Sequence, residues 1–264
     1  MEIVVLVKQV PDTTEVRLDP KTGNLIREGV ESIINPDDRH ALEAAARLKE
    51  SSGGRVTVLS MGPFQAIDVV TEAIGICADR GVLLSDRAFA GADTWATSTT
   101  LGKALRKLGE IDVVLAGRQA IDGDTAQIGP QVAEYLGIGH ISCVTGIEEV
   151  KPRSITVSRR TEDGFERVKS SLPVLLTVMK EMNEPRYPAM ASLLAACGEK
   201  APIEVWNAAD LGVQVVDVGL EGSLTQVIRT FAPKSKRQTE MIEGDTSSVV
   251  EGLLSRLRDR KLIR

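Results

Sequence analysis

Asp112-Val113-Val114-Leu115-Ala116 leads straight into Gly117-Arg118-Gln119-Ala120-Ile121-Asp122-Gly123-Asp124-Thr125-Ala126-Gln127-Ile128, and the segment closes at Leu136-Gly137. Residues 112–116 read as a buried parallel strand, because aliphatic and β-branched residues follow one another without polar alternation. Residues 125–136 read as a helix. The loop between them leaves the carboxyl end of the strand, where open α/β sheets bind ligands. Gly117 and Gly123 allow backbone to approach a ligand closely. Thr125, Ala126 and Gln127, at a helix start, would offer N–H groups to a phosphate. Asp122 and Asp124 would repel it and are read as helix caps or ribose acceptors. An ordinary Asp-Gly turn with an Asp cap accounts for the same letters.

Outward from this stretch the unit recurs. Ile3-Val4-Val5-Leu6-Val7 is an unbroken buried strand, and residues 16–19 and 24–27 flank Pro20-Lys21-Thr22-Gly23 as a small hairpin. Asn35-Pro36 opens a helix with Asn35 as cap and Asp37 and Asp38 at its positive end. Ala41, Leu42, Ala45 and Leu48 form its apolar stripe, and Gly53-Gly54 ends it. Residues 56–59 and 82–84 read as strands, 63–78 and 94–108 as helices. Strands alternating with helices of this length predict an α/β fold, a mostly parallel sheet with helices on both faces. Asn35-Pro36, Met61-Gly62-Pro63 and the loop at 117 should all emerge on one edge of that sheet.

Past residue 140 the rhythm changes. Residues 154–159 and 165–169 read as a hairpin over Glu162-Asp163-Gly164, and 173–178 as a strand. Beyond Asn183-Glu184-Pro185 the pattern thins into a long segment with little core of its own. This places an α/β domain at 1–184 and an appended arm at 185–264. The arm's end, 247–264, sets Val249, Val250, Leu253, Leu254 and Leu257 at helical spacing, an apolar face with no local partner.

The 264 residues carry a net charge of −5, with 42% hydrophobic and 3% aromatic content. Scarce aromatics and an acidic balance speak against a nucleic-acid surface. Cys77, Cys143 and Cys197 form no C-x-x-C, which removes disulfide exchange, iron–sulfur and zinc-ribbon chemistry. No apolar run reaches the roughly 20 residues of a membrane span, and Met1-Glu2 enters the first strand without a basic leader. A reducing cytoplasm is the expected home. G-x-G-x-x-G and Walker A are both absent. His40 reads as solvated or structural, His140 as a loop residue without triad partners, and Cys143 as a small core residue. Acid–base or nucleophilic catalysis finds no visible centre, and no metal site is expected.

Six segments then fall in a telling order: VLVKQVPDT (5–13), INPDDRHALEAA (34–45), MGP (61–63), CADRG (77–81), GRQAIDGDTAQIGPQVAEYLG (117–137) and NEPRYP (183–188). Together they resemble the beta subunit of electron transfer flavoproteins, as does the stretch carrying Arg160, Asp163, Gly164, Glu166 and Pro173. The likeness spans essentially the whole chain.

That resemblance implies an adenine nucleotide alpha hydrolase-like fold without hydrolase activity, in a heterodimer whose alpha subunit carries an electron-transferring FAD. It implies a nucleotide pocket built from Leu6, Asn35, Pro36, Asp37, Asp38, Met61 and Gly62. The rest would come from Gly117, Arg118, Gln119, Ala120, Ile121, Asp122, Gly123, Asp124, Thr125, Ala126, Gln127 and Ile128. It implies that residues 185–195 dock on a partner dehydrogenase through Arg186, Tyr187 and Leu193, with Met190 as anchor, and that the C-terminal arm wraps the alpha subunit. Ordinary members hold AMP in the pocket; electron-bifurcating members hold a second FAD that accepts hydride from NADH. Asp122-Gly123-Asp124-Thr125-Ala126-Gln127 in place of an aspartate-rich run resembles the bifurcating group. So does the tail with Thr225-Gln226-Val227 and Phe231-Ala232-Pro233-Lys234. The implied partners are the alpha subunit, an acyl-CoA dehydrogenase-type flavoenzyme, and ferredoxin or flavodoxin as low-potential acceptor. NADH oxidation would belong to the complex only, and the flavin, not a side chain, would do the chemistry. Two departures stand out: Ala195-Ala196-Cys197-Gly198 replaces the usual lysine-rich stretch, and Arg160 stands where ordinary members often carry an acid. A structural AMP is the alternative within the family. A universal-stress-type nucleotide-binding module is the alternative from another class, and it has neither the arm nor the docking loop.

Overall fold

The computed structural model describes residues 1–12, 17–18, 25–26, 32–198, 200–228 and 239–263. After β1 (Glu2–Val7), the short strands β2 (Gln9–Pro11), β3 (Arg17–Leu18), β4 (Leu25–Ile26) and β5 (Ser32–Ile34) form two antiparallel pairs, β2 with β5 and β3 with β4. The second pair agrees with the expected hairpin, whose turn at Pro20-Lys21-Thr22-Gly23 lies outside the described residues. The alternation follows as α1 (Pro36–Ser52), β6 (Arg55–Met61), α2 (Ile67–Ile76), β7 (Arg80–Leu84), α3 (Thr94–Leu108), β8 (Val113–Gly117) and α4 (Ile128–Leu136). Then come β9 (Gly139–Lys151), the hairpin β10 (Ser154–Arg160) and β11 (Phe165–Ser171), β12 (Val174–Val178), α5 (Met190–Ala196) and β13 (Ile203–Trp206).

The main sheet runs β11-β10-β9-β12-β8-β1-β6-β7-β13, parallel except where β10 pairs with β9 and β11. The chain leaves β1 toward β6 and β7, then returns to the other side of β1 as β8. A topological switch point therefore lies between β1 and β8, where the loops of neighbouring strands part and leave a crevice. The unbroken apolar run of β1 serves both faces. Ile3, Val5 and Val7 pack with Leu42, Ala45, Val70 and Ala73 of α1 and α2. Val4 and Leu6 pack with Leu101, Leu105, Val132 and Ala133 of α3 and α4. Each such buried Val, Leu or Ile side chain contributes about 1.5–3 kcal/mol.

Several expectations are corrected. The helix placed at 63–78 divides into a 3-10 turn, Phe64–Ala66, and α2. His140 lies in β9, a strand that the sequence reading left out. Cys143 is half-buried rather than core: its backbone is left-handed (φ 60°), and its amide donates to Thr177 Oγ1 at 3.2 Å. The stretch expected to thin out after 183 adds core of its own, with Ala196, Trp206 and Val218 buried and β13 extending the sheet beside β7.

Met1–Ile228 forms one compact unit and Arg229–Arg264 a second. The second holds α6 (Thr246–Asp259), capped by Asp245, which accepts from Ser248 N at 3.0 Å. Glu240 pairs with Arg256, and Val250, Leu253 and Leu254 stay exposed. Phe231-Ala232-Pro233-Lys234 lies outside the described residues. No described helix is long and apolar enough to cross a membrane.

Candidate functional site

A cleft of about 1230 Å³ opens at the carboxyl ends of β1, β6, β7 and β8. The three strand-to-helix junctions singled out in the sequence do emerge on this edge. Leu6, Asp38, Met61, Gly62, Gly117, Arg118, Gln119, Ala120, Gly123, Asp124, Thr125, Ala126, Gln127 and Ile128 line the cleft. Asn35, Pro36, Asp37, Ile121 and Asp122 are not among its lining residues; they stand around that wall.

Asp38 ties the switch point together. Its Oδ2 accepts from Lys8 N at 2.8 Å, at the end of β1, and its Oδ1 from Gly117 N at 3.0 Å, at the end of β8. Burial pushes its carboxyl up to about 7, against hydrogen bonds from Asn35 and these two amides, which lower it. Gly117 is required here, since a Cβ would overlap Asp38 Oδ1 and crowd Asp37. Burial also raises Asp37, against the nearby charge of Arg118.

Asn35 occupies the cap position of α1, yet its side chain makes no cap hydrogen bond. It reaches across to the loop instead, donating from Nδ2 to Gln119 O at 2.9 Å and accepting at Oδ1 from Ile121 N at 3.1 Å. The expected cap is thus a loop pin. The loop is held twice more: Lys8 Nζ pairs with Asp122 at 2.7 Å, and Gln119 Nε2 donates to Asp124. The two aspartates therefore cap nothing. The helix also begins later than residue 125: α4 starts at Ile128, because Asp124 and Ala126 adopt left-handed backbone (φ 52° and 54°). Such conformations cost non-glycine residues about 1–3 kcal/mol and cluster at ligand sites.

Part of the cleft's lining escaped the sequence reading. Phe64, Phe89, Trp95, Leu224 and Val227 supply apolar surface, and Thr94, Thr97 and Gln131 add polar groups. Thr94 Oγ1 donates to Gln127 Oε1 at 3.2 Å and accepts from Gln131 Nε2 at 3.3 Å, while Gln131 Oε1 is buried without a partner among the described residues. Asp93 caps α3 through Ala96 N at 2.9 Å and holds Thr225 through its amide and hydroxyl, both at 2.9 Å. Burial raises the Asp93 carboxyl, but the bonds from Ala96 and Thr225 outweigh it and hold it below the usual range. The signal was available: β7 is parallel to its neighbours, so its following loop had to emerge on the same edge.

The proposed docking residues divide into two kinds. Tyr187 and Met190 are exposed, at 92% and 73%. Arg186 instead folds back on α1, and Leu193 packs against Gly75 of α2. His40 is structural, its Nδ1 3.0 Å from Asn183 O.

A family model described as the electron transfer flavoprotein domain matches residues 22–211. An electron transfer flavoprotein subunit beta from Thermoanaerobacterium thermosaccharolyticum is 49% identical over 263 residues, covering 100% of both chains. The chain belongs to the electron transfer flavoprotein beta-subunit family. Within that family, the caffeyl-CoA reductase-Etf complex subunit CarD of Acetobacterium woodii is 49% identical over 267 residues, again 100% of both chains. Protein FixA of Azorhizobium caulinodans is 44% identical over 269 residues, 99% of this chain and 95% of its own. Membership implies flavin-linked electron transfer.

Proposed function

We propose that this chain is the FAD-binding beta subunit of an electron-bifurcating flavoprotein. With an alpha subunit it would take electrons from NADH and divide them between a low-potential ferredoxin or flavodoxin and an acyl-CoA dehydrogenase-type flavoenzyme. The observation that carries this reading is the size of the cleft together with the aromatic and aliphatic residues in its lining. At about 1230 Å³ it exceeds the roughly 300–1,000 Å³ of common ligand pockets. An adenine nucleotide without a second ring system would leave part of this volume unfilled. Phe64, Phe89, Trp95, Leu224 and Val227 in the lining suit a planar ring system.

The residues present fit that group. The backbone amides of 125–129, near the start of α4, would meet the pyrophosphate, where the helix dipole adds about 0.3–1 kcal/mol. Gly123 leaves open space where a side chain would intrude. Gln131 Oε1, buried and unpartnered, would accept from a ligand hydroxyl. Arg118 would set its permanent charge beside the ring and favour an anionic reduced form. A flavin bound there supplies two-electron acceptance and one-electron release. The 49% identity to a subunit of a caffeyl-CoA reductase-Etf complex supports a reductase- or dehydrogenase-class partner.

Cofactor extraction from the purified heterodimer tests this. Two flavins per heterodimer, one of them bleached directly by NADH, is the expected result, with Arg118→Ala moving that flavin's potential more than its occupancy. One flavin and one AMP would overturn it in favour of a structural nucleotide.

A further inference from the structure

We propose that Arg186 is a positioning residue for partner docking: it holds Tyr187 and Met190 in their outward arrangement and does not itself touch the dehydrogenase. This rests on the reading of residues 185–195 as the docking loop.

The geometry is a two-carboxylate clamp. Arg186 Nε donates to Glu43 Oε2 at 2.7 Å, and its own backbone amide donates to the same oxygen at 3.2 Å. The other arm of the guanidinium meets Glu50, Nη1 donating to Oε1 and Nη2 to Oε2 at 3.1 Å. Glu43 is a buried member of α1, with a side chain only 4% exposed, and Arg47 Nε also donates to it at 2.7 Å. Burial pushes the Glu43 carboxyl up, but the bonds from Arg186 and Arg47 outweigh it and hold it below its usual range. A planar fork satisfied by two carboxylates at once has little left to offer a partner surface.

The rest of the segment is pinned as well. Upstream, Asn183 Nδ2 donates to His40 O at 3.0 Å. Downstream, Ala189 N donates to Gly75 O at 2.9 Å, and Pro188 and Leu193 lie so close to Gly75 that a Cβ there would overlap them. Between these pins Tyr187 and Met190 are exposed, as is Leu194 just beyond them. A half-exposed guanidinium, 36% exposed, between a buried and an exposed carboxylate contributes little to stability, but its bidentate geometry suits the fixing of one conformation. Apolar anchors held ready bind without the cost of ordering them at encounter.

The test uses the heterodimer with an acyl-CoA dehydrogenase as electron acceptor, measuring KM for the dehydrogenase, kcat and amide exchange. Arg186→Ala should raise KM about tenfold with kcat unchanged, the scale expected when two side chains lose their preorganisation. Amides of 187–195 should exchange faster while those of β1 and β8 do not. Arg186→Lys should restore part of the affinity. Glu50→Gln decides between roles: it loosens the clamp and should raise KM, whereas an Arg186 that contacts the partner directly would be freed by it. A lowered or unchanged KM in Glu50→Gln, or unchanged exchange in Arg186→Ala, would overturn the clamp. An unchanged KM in Met190→Asp would overturn the docking reading beneath it.

Discussion

Asn35 and Asp38 show how far single residues outrun their letters. Both were legible as the start of α1, because Asn before Pro is a strong helix-opening signal. What they do with their side chains was not legible, since their partners lie about 80 residues away at Gly117, Gln119 and Ile121. Asn35→Ala should leave Gln119 O and Ile121 N unpaired and destabilise the chain by about 1–3 kcal/mol. Nucleotide content should fall with it, because the loop loses its pin; full content after purification would contradict the assignment. Asp38 carries a pH signature. Its carboxyl stands at about 7 in the fold against an ordinary 3.8, so the folded chain holds a proton in that interval that the unfolded chain has lost. Its contribution is therefore full below about pH 4 and is lost as the pH rises through about 7. Melting temperatures of wild type and Asp38→Asn, measured from pH 4 to 8, should converge as pH rises, the wild type losing its advantage. Parallel curves would show that Asp38 does not titrate there.

Elements were legible where the apolar period was clean and illegible where the backbone broke it. The start and stop of α3 at Thr94 and Leu108 follow directly from the pattern, as do the hairpin β10–β11 and the central strand β1. The start of α4 was placed three residues early, because nothing in Asp124-Thr125-Ala126 announces left-handed conformations at two non-glycine positions. β9 was missed for a related reason: Cys143 is left-handed, and the register with β10 shifts between Thr156 and Val157 and again between Ser158 and Arg159. Each shift interrupts the two-residue alternation that marks a strand. In α5, Met190 and Leu194 are exposed while Ala196 is buried. Met190→Asp should therefore leave melting within about 0.5 kcal/mol of wild type, as surface substitutions do, and slow electron delivery to the dehydrogenase. A variant that melts early or loses flavin would place Met190 in the core instead.

For the whole molecule, two cores on one sheet account for the stability of residues 1–228, and the cleft at the switch point follows from strand order alone. The remaining 36 residues form a different kind of object. In α6 a capped start and a basic last turn make a well-specified helix, yet no residue of it is buried. Val249 and Leu257 are partly covered, while Val250, Leu253 and Leu254 are between 37% and 49% exposed. A helix of this length gains most of its stability from packing an apolar face rather than from propensity. The pattern at 247–264 thus made the helix legible but named no surface for it. Completing the burial of three such side chains is worth about 1 kcal/mol each, so the arm alone would tighten association about 100-fold. Deleting residues 246–264 from the co-expressed heterodimer should weaken binding of the alpha subunit by about that factor, measured by dilution on a sizing column. The melting of the 1–228 unit should stay unchanged. Undiminished association after the deletion would mean that the apolar face of α6 has no role in assembly.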